Sequence, residues 1–231
     1  MGWNRAQLKQ LAKAQLGRQY FSYLLASFLL ILLGGGAGGI TSSWNVQNNS
    51  VLNGEMSWML SGVLATVLAV SLLISLGISI FVAGPLEVGV RRFYLTGTKG
   101  IASMNLIGSG FRKEEYMSQV SVMFIRNLFL VLWSLLLVIP GIVKAYEYRF
   151  VSYIAAERPG IGYKEAIAIS RQMTMGHKWN MFVLDLSFLG WMLLGSLCCG
   201  IGIVFVQPYV DATFTQLYET LKIPEVTGTV Q

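Results

Sequence analysis

Residues 135–154, LLLVIPGIVKAYEYRFVSYI, begin as a membrane span, break at Pro140-Gly141, and go on with Lys144, Glu147 and Arg149 among Tyr146, Tyr148, Phe150 and Tyr153. Hydrocarbon offers no water to a backbone group or a charge. The stretch therefore forces a choice between leaving the membrane and carrying three charges back into it. The whole chain lives under the same constraint. Of 231 residues 54% are hydrophobic and 12% charged, about half the charge of an ordinary soluble domain. Apolar runs at 20–40, 59–83 and 120–139 each supply the roughly 20 residues that a helix needs to cross the hydrocarbon core. A fourth, at 181–206, is long enough for one long span or the start of two.

The net charge of +6 would suit nucleic acid if the 17 basic residues formed one face. They follow the apolar runs instead, which excludes a nucleic-acid partner from the reading. Arg5, Lys9, Lys13 and Arg18 precede the first run, and none lies in residues 41–58. Arg91, Arg92, Lys99, Arg112 and Lys113 separate the second from the third, and Arg158, Lys164, Arg171 and Lys178 precede the fourth. Short loops rich in Lys and Arg stay cytoplasmic, so the N-terminus is expected inside and residues 41–58 outside, with anionic lipid headgroups of the inner surface as a partner.

The leader has the order of a signal peptide, yet it reads as an uncleaved interfacial helix over 3–19. Asn4 can cap it, Leu8, Leu11, Ala12 and Leu16 form one stripe, and Arg5, Lys9 and Lys13 form another. A second interfacial helix is expected from Tyr163 to Gly176, with Ala166, Ile167, Ser170 and Met173 on one face.

If the third span ends outside at Pro140-Gly141, residues 142–156 must return the chain to the side of Arg158–Lys178. At 1.5 Å per residue they cover about 22 Å, short of a core of roughly 30 Å, so the crossing requires neighbours that bury it. The rival, a helix flat on the outer surface, would leave six basic residues outside. The same logic splits 181–221 at CCGIG into two spans. The expected fold is all-α: a polytopic membrane helical bundle of about six spans arranged as three hairpins, one domain over 1–222 with both termini cytoplasmic and a flexible tail at 223–231.

Five ionisable residues fall at membrane depth in this scheme: Glu87, Arg126, Arg149, Asp185 and Asp211. Counted from the cytoplasmic helix ends they share a layer, and a charge at depth faces the bundle interior or a wet cavity. Arg149 is expected to pair with Asp185, with Asp211 or Glu87 next in order, while Lys144 sits alone in the outer half. The cluster either bridges the hairpins or lines a polar cavity.

Other chemical signals are thin. Cys198 and Cys199 are adjacent and lack a CxxC or histidine partner at metal spacing. GGGAGG at 34–39 lacks the strand-turn-helix setting of a dinucleotide loop and suits close helix packing. His177 is the only histidine, so a histidine-based metal cluster cannot be built. No catalytic, cofactor or metal residue is assigned.

Pro140-Gly141, Tyr146, Glu165-Ala166-Ile167, Ser170-Arg171, Gly176-His177-Lys178-Trp179, Asp185, Gly190-Trp191, Pro208-Tyr209 and Tyr218 together resemble a family of uncharacterised bacterial integral membrane proteins, best known from low-GC Gram-positive genomes. The likeness is specific over 135–221. A looser one extends to the membrane domain of some glycerophosphodiester phosphodiesterases, whose chemistry belongs to a separate soluble domain. The resemblance implies a helical membrane domain in the bacterial cell membrane and carries over no activity. The expected function is that of a non-enzymatic protein working through a membrane protein partner, as an accessory or immunity-type factor. The alternative is a carrier for a small solute or lipid with a polar cavity on the cytoplasmic side.

Overall fold

A computed structural model describes residues 4–30, 54–197 and 201–222. Cys198, Cys199, the GGGAGG run and the tail at 223–231 lie outside the described residues. Every regular element described is helical.

Helix α1 (Arg5–Leu30) starts where Asn4 Oδ1 accepts the Ala6 N–H at 3.0 Å, the cap expected of it. Gln19, at φ −151° and ψ 47°, breaks α1 between the basic leader and the apolar run. The leader's stripe is closed against protein: Leu8, Ala12 and Leu16 are buried, and only Leu11 remains exposed. That corrects the picture of a stripe resting in lipid, since α1 packs along the last helix and Gln15 is buried there with it.

Helix α2 (Gly54–Ile78) runs through a π-helical turn (Ser79–Ala83) directly into α3 (Gly84–Lys99). The two parts differ in surroundings. From Ser61 to Leu76 every side chain of α2 is exposed, whereas Leu86, Val88, Val90, Phe93 and Tyr94 of α3 are buried. An apolar helix exposed all round is a helix whose solvent is lipid or another apolar surface. By length and composition Ser61–Lys99 and Tyr116–Leu136 can cross a membrane.

A 3₁₀ segment (Met104–Phe111) folds back onto α3. The approach is backbone to backbone: a Cβ on Gly89 would lie 2.0 Å from the Ile107 carbonyl oxygen, and one on Gly110 1.9 Å from that of Pro85. Then follow α4 (Tyr116–Leu136), α5 (Val138–Glu147), α6 (Val151–Glu157), α7 (Tyr163–Thr174), α8 (Lys178–Leu197) and α9 (Ile201–Leu221). Helix α7 starts at Tyr163 as expected and ends at Thr174, two residues short of Gly176, whose φ of +79° marks the stop; it buries Ala166, Ser170 and Met173.

The hairpin between α4 and α5 departs from expectation in two ways. The chain turns at Leu137, in an extended conformation, and Pro140-Gly141 lies inside α5. Proline is tolerated in a first turn because the N–H it lacks would be unpaired there. The return is also not one helix over 142–156. It breaks at Tyr148–Phe150, where α6, buried on all sides, takes over. Tyr148, Phe150 and Tyr153 fill the core there, and the rings of Phe150, Tyr153 and Tyr218 pack on one another at centroid distances of 5.2 to 5.8 Å. A second core joins Tyr23 of α1 to Phe93 and Tyr94 of α3.

Gly89→Ala should therefore lower thermal stability in detergent by about 1–3 kcal/mol, the usual cost of overpacking. Gly108→Ala, on the facing 3₁₀ segment and with nothing within 4 Å of its Cβ, should leave the melting temperature unchanged.

Candidate functional site

Helix α3 puts Glu87 and Arg91 one turn apart, on one face. Arg126 on α4 reaches Glu87 with both terminal nitrogens, at 3.0 and 3.1 Å. Arg91 reaches Asp211 on α9 at 2.8 Å. Asp211 is buried and also accepts from Ser27 of α1 at 3.0 Å, and the Ser27 hydroxyl meets that of Tyr94 at 2.6 Å. Four side chains from three helices thus converge on one carboxylate region.

Arg149, at the break between α5 and α6, forks onto Asp185 of α8 at 2.8 and 3.0 Å. The Tyr146 hydroxyl donates to the same carboxylate at 2.8 Å. Bidentate guanidinium–carboxylate pairs are the strongest and most directional of protein ion pairs. Aromatic faces link them: the Arg91 guanidinium lies 4.9 Å from the Tyr153 ring centroid, and that of Arg149 3.7 Å from Phe214.

The pairing expected between Arg149 and Asp185 is the one present. The five residues do not form a single cluster, however; they divide into separate pairs. Asp211, a second choice for Arg149, belongs to Arg91 instead. Arg91, expected between spans among the cytoplasmic basic residues, lies in α3 with a largely covered side chain. The spacing of Leu86, Val90, Phe93, Tyr94 and Gly97 is the helical signal that would have placed it. Arg92 is likewise helical, donating to the Ala156 carbonyl at 2.8 Å and to Glu115 at 3.1 Å.

Lys144 is not alone in an outer half. It donates to one oxygen of Glu147 at 2.6 Å, and Lys178, the first residue of α8, donates to the other at 2.5 Å. The Ser170 hydroxyl of α7 holds the Glu147 carbonyl at 2.6 Å. The buried Glu147 carboxylate thereby joins α5 to α8 and its backbone carbonyl joins α5 to α7, while Lys144, three residues earlier on α5, is in its reach by helical spacing. At the leader, Lys9 donates to Ser187 at 2.9 Å and lies over the Phe188 ring. Burial, then Arg5 and Lys13, push its ammonium below the ordinary lysine value.

Farther along α3 and α9, Glu157 accepts from the Tyr218 hydroxyl at 2.7 Å and from Lys222. Beside it a cleft of about 160 Å³ is lined by Arg92, Leu95, Thr96, Lys99, Ala156, Glu157 and Glu219. An apolar cleft of about 370 Å³ lies between the π-turn and α4, with Ser79 and Asn127 its polar members. Among the described residues no three His, Cys, Asp or Glu side chains gather as a metal site would require. A carboxylate engaged by two guanidinium N–H groups is fixed in orientation. What this arrangement does chemically is fasten helices to one another.

An all-helical bundle with two membrane-length apolar helices and ion pairs between its helices is the class that fold and site define. The chain belongs to a family described as proteins of unknown function (DUF975), whose model matches residues 95–224, more than half its length. No curated protein and no solved structure matches it.

Arg91→Met should be the most damaging single change among the pairs, since it strands a buried Asp211. A loss of about 3–5 kcal/mol is expected in thermal or denaturant unfolding. Adding Asp211→Asn should restore part of it. The Arg149→Ala/Asp185→Asn cycle should show the same sign and a smaller coupling, because both side chains are about 30% exposed. Strict additivity in the first cycle would mean that the pair contributes no coupling.

Proposed function

We propose that this chain is a multi-pass protein of the bacterial cell membrane, with both termini cytoplasmic, that acts without catalysis by holding a membrane protein partner. Its apolar hairpins enter the membrane from one side. The observation that carries the reading is how the membrane-depth charges are used. Glu87, Asp185 and Asp211 are each taken up by an arginine, so these groups act as fasteners and leave binding to the exposed apolar helices. Large exposed apolar surfaces mark contact with lipid or with other proteins, and α2 offers the longest of them. Anionic headgroups fit the basic residues Arg5, Lys13, Lys164 and Arg171, which stay exposed beside the apolar segments.

The carrier reading finds its support in the cleft at Arg92, Lys99, Glu157 and Glu219. At about 160 Å³ it has room for roughly five waters at their share of liquid volume, which suits a small ion better than a lipid.

Native mass spectrometry of the full chain, extracted in its own lipid, decides between the two. A stoichiometric protein partner, retained in Glu157→Gln and lost when Val67, Leu68 and Leu72 of α2 become Ser, is the expected result. A chain that purifies alone with one bound small solute, lost in Glu157→Gln, would favour the carrier.

A further inference from the structure

The return arm of the α4–α5 hairpin is too short to cross a bilayer, and several features of the hairpin suit a tip that stays in hydrocarbon. Helix α5 has ten residues, about 15 Å of rise, half of a core of roughly 30 Å. Its lower end is pinned. Glu147 is bonded to Lys178 at the start of α8 and, through its carbonyl, to Ser170 of α7, and α7 presents Lys164, Glu165, Arg171 and Gln172 to solvent. A helix face with that charge lies in water or among headgroups, so Glu147 marks the membrane's edge.

Helix α4 is nominally long enough to span, but its first half is occupied by protein. Gln119, Val120, Val122 and Met123 are buried, and Ser118 donates to the Ile161 carbonyl at 3.0 Å. From Arg126 to Leu137 about 16 Å of helix remains.

The tip has the chemistry of a lipid-facing turn. Between Trp133 and Val143 the one polar side chain is Ser134. Leu135 is 84% and Ile139 77% exposed. The turn satisfies part of its own backbone: the Leu137 N–H bonds the Trp133 carbonyl, the Gly141 N–H bonds that of Leu137, both at 3.1 Å, and Pro140 has no N–H to satisfy. Gly141 admits the two helices at this distance, since a Cβ there would lie 2.9 Å from Ser134 Cα. The sequence between the first two apolar runs, TSSWNVQNNSVLNGEMSW at 41–58, is by contrast polar.

We infer that the α4–α5 hairpin is a wedge whose partner is the acyl chains of the cytoplasmic leaflet, entering from the inner surface and turning near the bilayer midplane. The crossing spans are then α1, α2, α8 and α9, which leaves both termini cytoplasmic. The inference rests on the sidedness proposed above, and the experiment separates the two. The full chain, with Cys198→Ser and Cys199→Ser, would carry a bimane on Leu137→Cys, in liposomes of phosphatidylglycerol and phosphatidylethanolamine containing nitroxide lipid. The label should lose more fluorescence to a mid-chain nitroxide than to a headgroup nitroxide, and Leu137→Cys should not react with an impermeant maleimide added outside intact cells. Stronger headgroup quenching, with maleimide reaction from outside, would overturn the wedge. Ile139→Cys repeats the measurement at an equally exposed position. Asn48→Cys and Lys164→Cys report sidedness on their own: reaction from outside at Asn48→Cys and none at Lys164→Cys upholds it, and the reverse would sink it whatever the depth of the tip.

Discussion

An arginine or carboxylate taken out of water must find its opposite, because an unpaired charge in a medium of low dielectric costs several kcal/mol. Most of this architecture follows from satisfying that requirement. Arg126 ties α4 to α3 through Glu87, Arg91 ties α3 to α9 through Asp211, and Arg149 ties the α5–α6 break to α8 through Asp185. Lipid tails give helices no hydrophobic reason to associate, so polar links of this kind fix which helix stands beside which. The aromatic faces of Tyr153 and Phe214 lie against the guanidinium groups of Arg91 and Arg149 and add cation–π attraction to those two pairs.

On one side of these pairs the chain is a packed protein interior. Helix α6, the buried faces of α3 and α9, and the Phe150, Tyr153 and Tyr218 rings form it. On the other side α2, α4 and α5 carry exposed Leu, Val and Ile. One chain thus carries two kinds of surface, one closed on itself and the other awaiting lipid or a partner. The π-helical turn and Pro85 mark the changeover along the α2–α3 path, where a helix exposed on every face becomes a core helix.

Parts of this were legible in the sequence because they obey local rules. Asn4 capped its helix, Gly176 stopped α7, and Arg149 found Asp185 because the two were counted to similar depth from helix ends. What was missed depended on tertiary contact. Arg91 looked like a loop cation following an apolar run, and only the burial of α3 makes it the partner of Asp211. Lys144 looked isolated because its distance from Lys178 along the chain concealed that both reach Glu147. Pro140-Gly141 reads as a break in any linear scan, yet the turn falls at Leu137, since a proline near a helix start costs nothing and a glycine lets α4 and α5 touch. The stripe of α1 has the same pattern whether it faces lipid or protein, and periodicity alone could not choose.

The central claim is that the paired charges divide a closed, water-facing body from apolar ends in lipid. Hydroxyl-radical footprinting of the full chain in liposomes measures that division residue by residue. Met117, 71% exposed at the start of α4, and Met175, exposed beyond α7, should oxidise readily, while the equally exposed Leu135, Leu136 and Ile139 stay unmodified. Met123, Met173 and Met181, buried in the body, should be protected in bilayer and detergent alike. Rapid modification of Leu135 and Ile139 in the bilayer, with Met117 and Met175 shielded, would contradict the division.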